Sequence, residues 1–212
     1  MTQNGIIFDI DGTLWDASEP VAAAWNEVLA LQTDTAGLQV TPKQIQNLMG
    51  KTAAEINRIL FPNLSEERRS KIGELCSKHT QSYLQEHLGT LYPQVKETLR
   101  KLSRDFRLFV VSNCQADYLE ILLDRCALRG FFTDAECYGR TLKSKGENIR
   151  LLLDRNNLEK AVYVGDTQLD FDSAKYAGIP FLHAAYGFGS IKEEVPAIQA
   201  FSELPVAVSK IF

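Results

Sequence analysis

The residues best suited to chemistry form a cluster of aspartates close to the N-terminus. Residues 6–16 read IIFDIDGTLWD, so that Asp9, Asp11 and Asp16 fall within eight positions after an apolar run. Glycine and aspartate both disfavour β-strands, so a strand over the apolar run is expected to end at this cluster. Carboxylates attack electrophiles, transfer protons and bind hard cations, which makes this segment the first candidate site.

Two later apolar runs end in polar residues in the same way. RLFVV is followed by Ser112 and Asn113, and AVYVG is followed by Asp166, with Asp170 four residues further on. Each ending alone is typical of a turn or a helix cap. In an open parallel sheet, however, ligands bind at the carboxyl ends of the strands. Three polar endings at one edge therefore predict a binding site.

Carboxylates that meet at this edge need a compensating charge. Two carboxylates about 4 Å apart repel by roughly 4 kcal/mol at an effective dielectric constant of 20. A hard cation relieves that repulsion, and Mg²⁺ prefers one or two carboxylates together with waters and a substrate phosphate. We therefore expect a Mg²⁺ ion among Asp9, Asp11, Asp166 and Asp170, with a lysine or arginine in reach.

The elements that must position these residues change in character along the chain. From about residue 16 to residue 91 the sequence is almost wholly helical, with capping patterns at Thr41 and Thr52 among four predicted helices. From Val95 onward apolar strands alternate with helices, which is typical of a parallel sheet covered on both faces. The predicted fold class is α/β, a Rossmann-like three-layer core with a parallel sheet and an inserted α-helical domain.

The composition disfavours several classes of partner. The net charge of the 212-residue chain is −4, which provides no basic face for nucleic acid. No run approaches the ~18 apolar residues of a membrane span, and the N-terminus shows no signal-peptide pattern. The four cysteines lie far apart and are expected to be reduced thiols. We expect a cytoplasmic protein that is a monomer or a weak dimer.

Taken together, the motifs resemble those of the haloacid dehalogenase-like superfamily. Residues 9–14, DIDGTL, are similar to its motif I, Ser112 to motif II, and residues 165–170, GDTQLD, to motif IV. The resemblance covers nearly the whole chain and indicates the branch of phosphoglycolate phosphatase-like and β-phosphoglucomutase-like proteins, which carry a helical C1 cap. It implies a core domain of residues 1–15 and 91–212 and a cap domain of residues 16–90.

The resemblance implies a role for each carboxylate. Asp9 would be the nucleophile that forms an aspartyl-phosphate. Asp11 would protonate the leaving oxygen and then take a proton from the hydrolytic water. Mg²⁺ would be held by Asp9, by the main-chain carbonyl of Asp11 and by Asp166, with Asp170 supporting the metal waters. The expected activity is Mg²⁺-dependent hydrolysis of a small phosphorylated metabolite, with phosphoglycolate as one candidate.

The resemblance also implies a phosphate site beside these carboxylates. Ser112 would donate its hydroxyl to the phosphoryl oxygens, together with main-chain N–H groups near Asp11 and Gly12, and Asn113 would assist. Gly12 would permit the close approach of the backbone that a bulkier residue obstructs.

The cation of motif III is expected at one of two lysines, Lys143 or Lys145. Ser144 and Glu147 form a capping-box pattern, which makes Lys145 the first residue of a helix and leaves Lys143 in the preceding loop. A lysine at the helix start can reach both Asp9 and the phosphoryl group. We assign the role to Lys145, with Lys143 as the alternative.

Two other functions fit the same residues. A β-phosphoglucomutase-like mutase shares both aspartates of motif I, the metal and the helical cap, and Thr13 favours hydrolysis only weakly. A non-catalytic binding protein of the same fold is the less favoured alternative, because every catalytic position is filled. Asp11 argues against a dehalogenase, whose leaving halide needs no proton.

Two further segments have ordinary explanations. Residues 186–189, YGFG, are expected to form a turn after the last core strand. Trp15, directly after motif I, is expected either to pack at the hinge of the cap or to line the substrate pocket.

Overall fold

The structure, a computed structural model that describes residues 3–212, is organised around a parallel β-sheet. Its strands are β1 (Asn4–Phe8), β2 (Trp15–Asp16), β3 (Thr90–Leu91), β4 (Arg107–Ser112), β5 (Phe132–Cys137), β6 (Lys160–Gly165), β7 (Phe181–Ala184) and β8 (Ala197–Ile198). Six of them form one sheet in the order β5-β4-β1-β6-β7-β8, and every neighbouring pair is parallel. The predicted parallel sheet is confirmed.

Helices occupy most of the remaining chain. They are α1 (Ser18–Ala30), α2 (Pro42–Leu48), α3 (Ala53–Leu60), α4 (Glu66–Glu86), α5 (Val95–Leu102), α6 (Ala116–Arg125), α7 (Tyr138–Thr141), α8 (Lys145–Arg155), α9 (Gln168–Ala177) and α10 (Leu204–Val208), with 3₁₀ turns at Arg129–Phe131 and Phe201–Glu203. Thr41 and Thr52 close capping boxes at α2 and α3, as the sequence predicts. Within the described residues no helix has the length and apolarity needed to cross a membrane.

Both faces of the sheet are covered, which gives the three layers that the alternating pattern predicts. Successive residues of β1 point to opposite faces. Ile6 and Phe8 belong to one apolar cluster, which also includes residues of α5, α6 and α10. Ile7 belongs to a second cluster, formed with residues of α8 and α9. The α/β class is therefore confirmed, and Ile6, Ile7 and Phe8 of β1, inside the sheet, are fully buried.

The helices α1 to α4 form an insert between β2 and β3, referred to below as the helical insert. They pack chiefly on one another, α1 against α2 and α4, and α3 against α4. Trp25 stacks on Phe61 within this group and donates a hydrogen bond to Thr80. The chain leaves and re-enters the sheet region through β2 and β3, which pair antiparallel. Helix α4 also packs against α6, so the insert covers the carboxyl edge of the sheet.

Candidate active site

The carboxyl ends of three adjacent strands bring the predicted site residues together. Asp9 follows β1, Ser112 ends β4 and Asp166 follows β6, and these three strands are neighbours in the order β4-β1-β6. Asp170 joins them from the first turn of α9, where it completes a capping box with Thr167. All of these side chains are buried. The apolar residues that bury the strands thus hold the carboxylates out of bulk water.

Lys145, rather than Lys143, reaches this cluster. A capping box between Ser144 and Glu147 starts α8 directly before Lys145. The Lys145 Nζ atom lies 2.9 Å from Asp9 Oδ1 and 2.7 Å from Asp170 Oδ1, and its side chain is buried. Burial lowers the Lys145 pKa, but the charges of Asp170 and Asp9 outweigh it and raise the pKa overall, so the ammonium is retained. Lys143 is exposed to solvent.

The remaining negative charge of the cluster fits a cation. One carboxylate oxygen from each of Asp9, Asp166 and Asp170 lies within 4.8 Å of the others. Oδ1 of Asp166 is buried and has no hydrogen-bond partner within residues 3–212. Burial raises the pKa of Asp166 to about 8 and that of Asp9 to about 7, the latter against the lowering effect of Lys145. The three carboxylates, whose negative charge one lysine balances only in part, therefore form a donor set suited to a hard divalent ion.

A glycine-containing loop fixes the other oxygen of Asp166. The main-chain N–H groups of Phe188 and Gly189 donate to Asp166 Oδ2 at 2.8 and 3.3 Å. A Cβ atom on Gly187 would overlap Asp166 and the Gly12 carbonyl, so a side chain at that position is excluded. The segment 186–189 is thus more than the plain turn expected after the last core strand. It binds Oδ2 of Asp166 and leaves Oδ1 without a partner among the described residues. Main-chain donors of this kind have no sequence signature.

Asp11 is held by two aromatic side chains. Its Oδ1 atom accepts hydrogen bonds from Tyr118 Oη at 2.5 Å and from Trp15 Nε1 at 3.1 Å. The two rings meet edge to face with centroids 5.5 Å apart. Burial raises the pKa of Asp11 to about 6, while these two hydrogen bonds lower it. Tyr118, in the first turn of α6, is a site residue that the sequence analysis does not identify.

Comparison with known proteins agrees with this geometry. The sequence profile of the haloacid dehalogenase-like hydrolases matches residues 6–184. The chain belongs to this family. It is 28% identical to a phosphoglycolate phosphatase from Aquifex aeolicus over 90% of this chain and 89% of that protein. It is 30% identical to another from Vibrio vulnificus over 86% and 84%. The family and branch that the motifs predict are confirmed.

Solved structures share the fold of this haloacid dehalogenase-like hydrolase. A family member from Streptococcus pneumoniae superposes with a TM-score of 0.83 at 22% identity, over 98% of this chain and all of the other. A superfamily hydrolase from Geobacter sulfurreducens gives a TM-score of 0.70 at 18% identity, over 96% and 95%. These two structures therefore share the fold of this chain, including the helical insert.

Two predicted phosphate contacts of the hydrolase are already engaged with protein atoms. Gly12 has a φ of +83°, and a Cβ there would overlap the Asp166 carboxylate, so glycine is required. Its N–H group donates to the Trp15 carbonyl at 3.0 Å. Asn113 donates from Nδ2 to the Gly50 carbonyl at 2.7 Å, which links the end of β4 to the helical insert. A phosphate contact from the Gly12 N–H would require its bond to be released, whereas the Asn113 amide retains a second N–H donor.

The helical insert encloses a cavity above the site. This inner cavity, of about 130 Å³, is bounded on the core side by Asp11, Ser112 and Tyr118, and on the insert side partly by apolar residues. A larger outer cavity, of about 500 Å³, lies beside it between α3 and α4. The two cavities share six lining residues, Ala53, Asn57, Gly73, Ser77, Gln81 and Gln115. A ligand at Asp11 and Ser112 would thus extend between the helices of the insert.

Proposed function

We propose that this haloacid dehalogenase-like hydrolase is a Mg²⁺-dependent phosphatase that cleaves a small-molecule phosphomonoester through an aspartyl-phosphate. The observation that supports this most is the buried group of Asp9, Asp166, Asp170 and Lys145, in which Asp166 Oδ1 has no protein partner among the described residues. Curated relatives are phosphoglycolate phosphatases, and a phosphoglycolate-like ester is accordingly one candidate substrate.

Mg²⁺ would be held by Asp9, Asp166 and the main-chain carbonyl of Asp11, with Asp170 supporting its waters. When bound, the ion supplies positive charge that reduces the repulsion between the attacking carboxylate and the phosphate. Asp170 accepts a hydrogen bond from the ammonium of Lys145 and also caps α9, so its orientation is fixed before any ligand arrives.

Asp9 and Asp11 would carry the covalent steps. A carboxylate oxygen of Asp9 forms a bond to phosphorus as the bond between phosphorus and the leaving oxygen breaks. Asp11 gives its proton to that oxygen, and the alcohol departs. In the second step Asp11 takes a proton from water, whose oxygen attacks phosphorus. The bond to Asp9 breaks, and inorganic phosphate is released with the Asp9 carboxylate restored.

The neighbouring side chains would position these groups. Lys145 orients Asp9 and faces the charge that develops on the transferred phosphoryl group. Ser112 donates its hydroxyl to a phosphoryl oxygen. Tyr118 and Trp15 occupy Oδ1 of Asp11 and leave Oδ2 to exchange the proton.

The domain division belongs to the same proposal. A core of residues 1–15 and 91–212 would carry the chemistry, and a cap of residues 16–90 would cover the substrate. The antiparallel pair of β2 and β3 lies where the chain passes between the two. The proposed setting is the cytoplasm, with a small phosphorylated metabolite as partner and the chain as a monomer or weak dimer.

Hydrolysis of p-nitrophenyl phosphate with added Mg²⁺, and again with EDTA, tests the proposal. We expect turnover that depends on the metal. Turnover unaffected by EDTA would contradict the metal-dependent mechanism, and no turnover of any ester would favour a binding protein of the same fold. β-Glucose 1-phosphate with a readout of glucose 6-phosphate tests the mutase alternative, for which isomerisation in place of phosphate release would be decisive.

A further inference from the structure

The side-chain amide of Asn57 faces the two cavities of the helical insert. Asn57, on α3, is 8% exposed, and within residues 3–212 no group of the protein forms a hydrogen bond with its side chain. It lines both the inner and the outer cavity. The amide atoms are open to the cavities, because the fully enclosed side-chain atoms without a partner in residues 3–212 are Thr13 Oγ1, Asn113 Oδ1 and Asp166 Oδ1. The Asn57 amide can therefore donate to and accept from a ligand in either cavity.

The neighbouring helix makes room for this amide. Gly73 of α4 faces Asn57, and a Cβ atom on Gly73 would overlap the side-chain amide. Glycine within a helix costs stability relative to alanine. Its presence in the middle of the 21-residue α4 therefore maintains a space that the amide of Asn57 occupies.

The other residues that line both cavities beside Asn57 are uncharged. Ser77 and Gln81 of α4 and Gln115 of the core line both cavities beside it. Closer to Asp11, the inner cavity presents the apolar side chains of Val21, Trp25, Met49 and Ile56. A leaving group that starts at Asp11 would thus meet both apolar surface and the amides and hydroxyls of the shared wall.

The charge distribution disfavours a small acid as this leaving group. Asp11 is the acidic residue of the inner cavity, and Lys51, which is exposed to solvent, is the one basic residue among its described lining residues. The outer cavity carries charges of both signs, from Arg58, Arg69 and Lys78 and from Glu66 and Glu74. An anionic group would find no buried cation beyond Asp11, whereas hydroxyl groups can both donate to and accept from an amide.

We propose that Asn57 determines specificity by hydrogen bonding to an uncharged, hydroxylated leaving group, and that the substrate is a phosphorylated polyol or sugar. The proposal rests on the proposed phosphatase function and names the substrate class of that same site. Binding of such a group supplies the partners that the Asn57 amide lacks. Plain alkyl esters cannot make those hydrogen bonds, and the esters of small acids place a charge beside the uncharged residues that the two cavities share.

The test compares two leaving groups of matched length, ribitol and n-pentanol, and a shorter anionic one, glycolate. The ratio kcat/KM reports the steps up to departure of the leaving group, so hydrolysis of the aspartyl-phosphate does not enter it. For the unaltered chain with Mg²⁺ we expect kcat/KM for ribitol 5-phosphate to exceed that for n-pentyl phosphate and for 2-phosphoglycolate by at least about tenfold. Asn57→Leu, which retains the side-chain volume, should remove the advantage of ribitol 5-phosphate and leave n-pentyl phosphate within about twofold.

Gly73→Ala displaces the same amide without altering it and should reduce the advantage in the same direction. Asn63→Leu, at an exposed position of the insert, is the matched control and should retain it. Equal loss on both esters in Asn57→Leu, an advantage unchanged by both variants, or a preference of the unaltered chain for 2-phosphoglycolate would each overturn the assignment. Turnover of p-nitrophenyl phosphate without a preference for the polyol ester overturns this inference alone. Absence of all ester hydrolysis overturns the proposed function with it.

Discussion

The carboxyl edge of the sheet and the inner wall of the helical insert both bury polar side chains, yet the two regions treat them differently. At the sheet edge, Asp9, Asp170 and Lys145 are each at most 2% exposed and are joined by ion pairs of 2.7 to 2.9 Å. In the insert, Asn57 is 8% exposed, and its amide faces the cavities without a partner among the described residues. Charges have to be paired when the chain folds, because an isolated buried charge is far costlier than an unpaired amide.

This difference assigns the reaction to the sheet edge and recognition of the leaving group to the wall of the insert. At the sheet edge Asp9 and Asp170 are paired with Lys145, and Asp166 Oδ1 is left for the cation, so this edge can serve any phosphate ester. The wall of the insert presents neutral groups whose hydrogen bonds are still available, so it can discriminate between leaving groups. The comparison predicts that changes at the sheet edge reduce turnover of every ester, whereas changes at the wall alter the preference among esters.

The largest effect is expected for Asp9→Asn. An amide cannot form the aspartyl-phosphate, so kcat should fall by at least about 10³-fold for every ester. The measurement is turnover of p-nitrophenyl phosphate and of an alkyl phosphate with saturating Mg²⁺. Full activity of the variant on either ester would show that Asp9 is not the nucleophile. It would also contradict the assignment of the reaction to the sheet edge.

The next effect distinguishes the two lysines. Lys145→Ala should lower kcat by at least about a hundredfold, because Asp9 and Asp170 lose the cation between them and the transferred phosphoryl group loses a positive charge. Lys143→Ala, the matched control at an exposed position, should change kcat by less than about twofold. The reverse ranking would transfer the role to Lys143.

The excess of carboxylates predicts an unusual dependence of stability on pH. The pKa values of Asp9 and Asp166 lie near 7 and 8 in the folded chain, above their ordinary value of 3.8. Between about pH 5 and pH 8 the metal-free folded chain therefore holds protons that the unfolded chain has lost. Its free energy of unfolding should fall by up to about 1.4 kcal/mol per pH unit for each such group.

Thermal unfolding of the chain and of Asp166→Asn measures this effect. The lowered pKa of His183 acts in the opposite sense in both proteins, so it cancels in the difference between them. Relative to the unaltered chain, the variant should be stabilised more at pH 8 than at pH 5. Mg²⁺ should raise the Tm of the unaltered chain chiefly at pH 8, because the ligands must be deprotonated. A difference in Tm that is independent of pH would contradict the buried cluster as described.

A smaller effect is expected at the boundary between the two regions, where Tyr118 lies against Asp11. Tyr118→Phe removes one donor to Oδ1, and kcat/KM for an alkyl phosphate should fall by about tenfold. A good leaving group needs little protonation, so p-nitrophenyl phosphate should be little affected. Tyr176→Phe, at an exposed position, is the control.

A double-mutant cycle shows whether Tyr118 acts through Asp11. In an Asp11→Asn background, Tyr118→Phe should cause little further loss, because the group that it positions is already gone. Additive losses would instead mean that Tyr118 acts independently, for example by contacting the leaving group itself.

The same division limits what the sequence can predict. The sheet edge follows from charged residues that directly end apolar runs, and Lys145 follows from the capping box that precedes it. Tyr118 could not be found in this way, because its hydroxyl reaches Asp11 across a gap of 107 residues. The N–H groups of Phe188 and Gly189 are main-chain donors, which any residue but proline offers.

The shortest strands and the role of Asn57 in the insert could not be predicted from the sequence, for related reasons. The strands β2, β3 and β8 are two residues long, too short for an alternating pattern. Asn57 lies within an amphipathic helix, where a buried polar residue has no distinctive spacing, and its isolation depends on Gly73, sixteen positions later. Long-range packing, rather than local preference, decides these features.

The smallest predicted effect tests the wall of the insert without any substrate. The Asn57 amide has no hydrogen bond within the described residues to lose, and its atoms are open to the cavities, so Asn57→Leu should change the free energy of unfolding by less than about 1 kcal/mol. Asn26 is the matched control in the same insert, because its amide donates to the Val40 carbonyl at 2.9 Å and accepts from the Val40 N–H at 2.8 Å. Asn26→Leu breaks both bonds and should lower the free energy of unfolding by about 2 kcal/mol. Urea titrations of the two variants measure the contrast. A loss of stability in Asn57→Leu equal to that in Asn26→Leu would mean that the Asn57 amide already has hydrogen-bond partners in the folded protein. That result would contradict the proposed difference between the sheet edge and the wall of the insert.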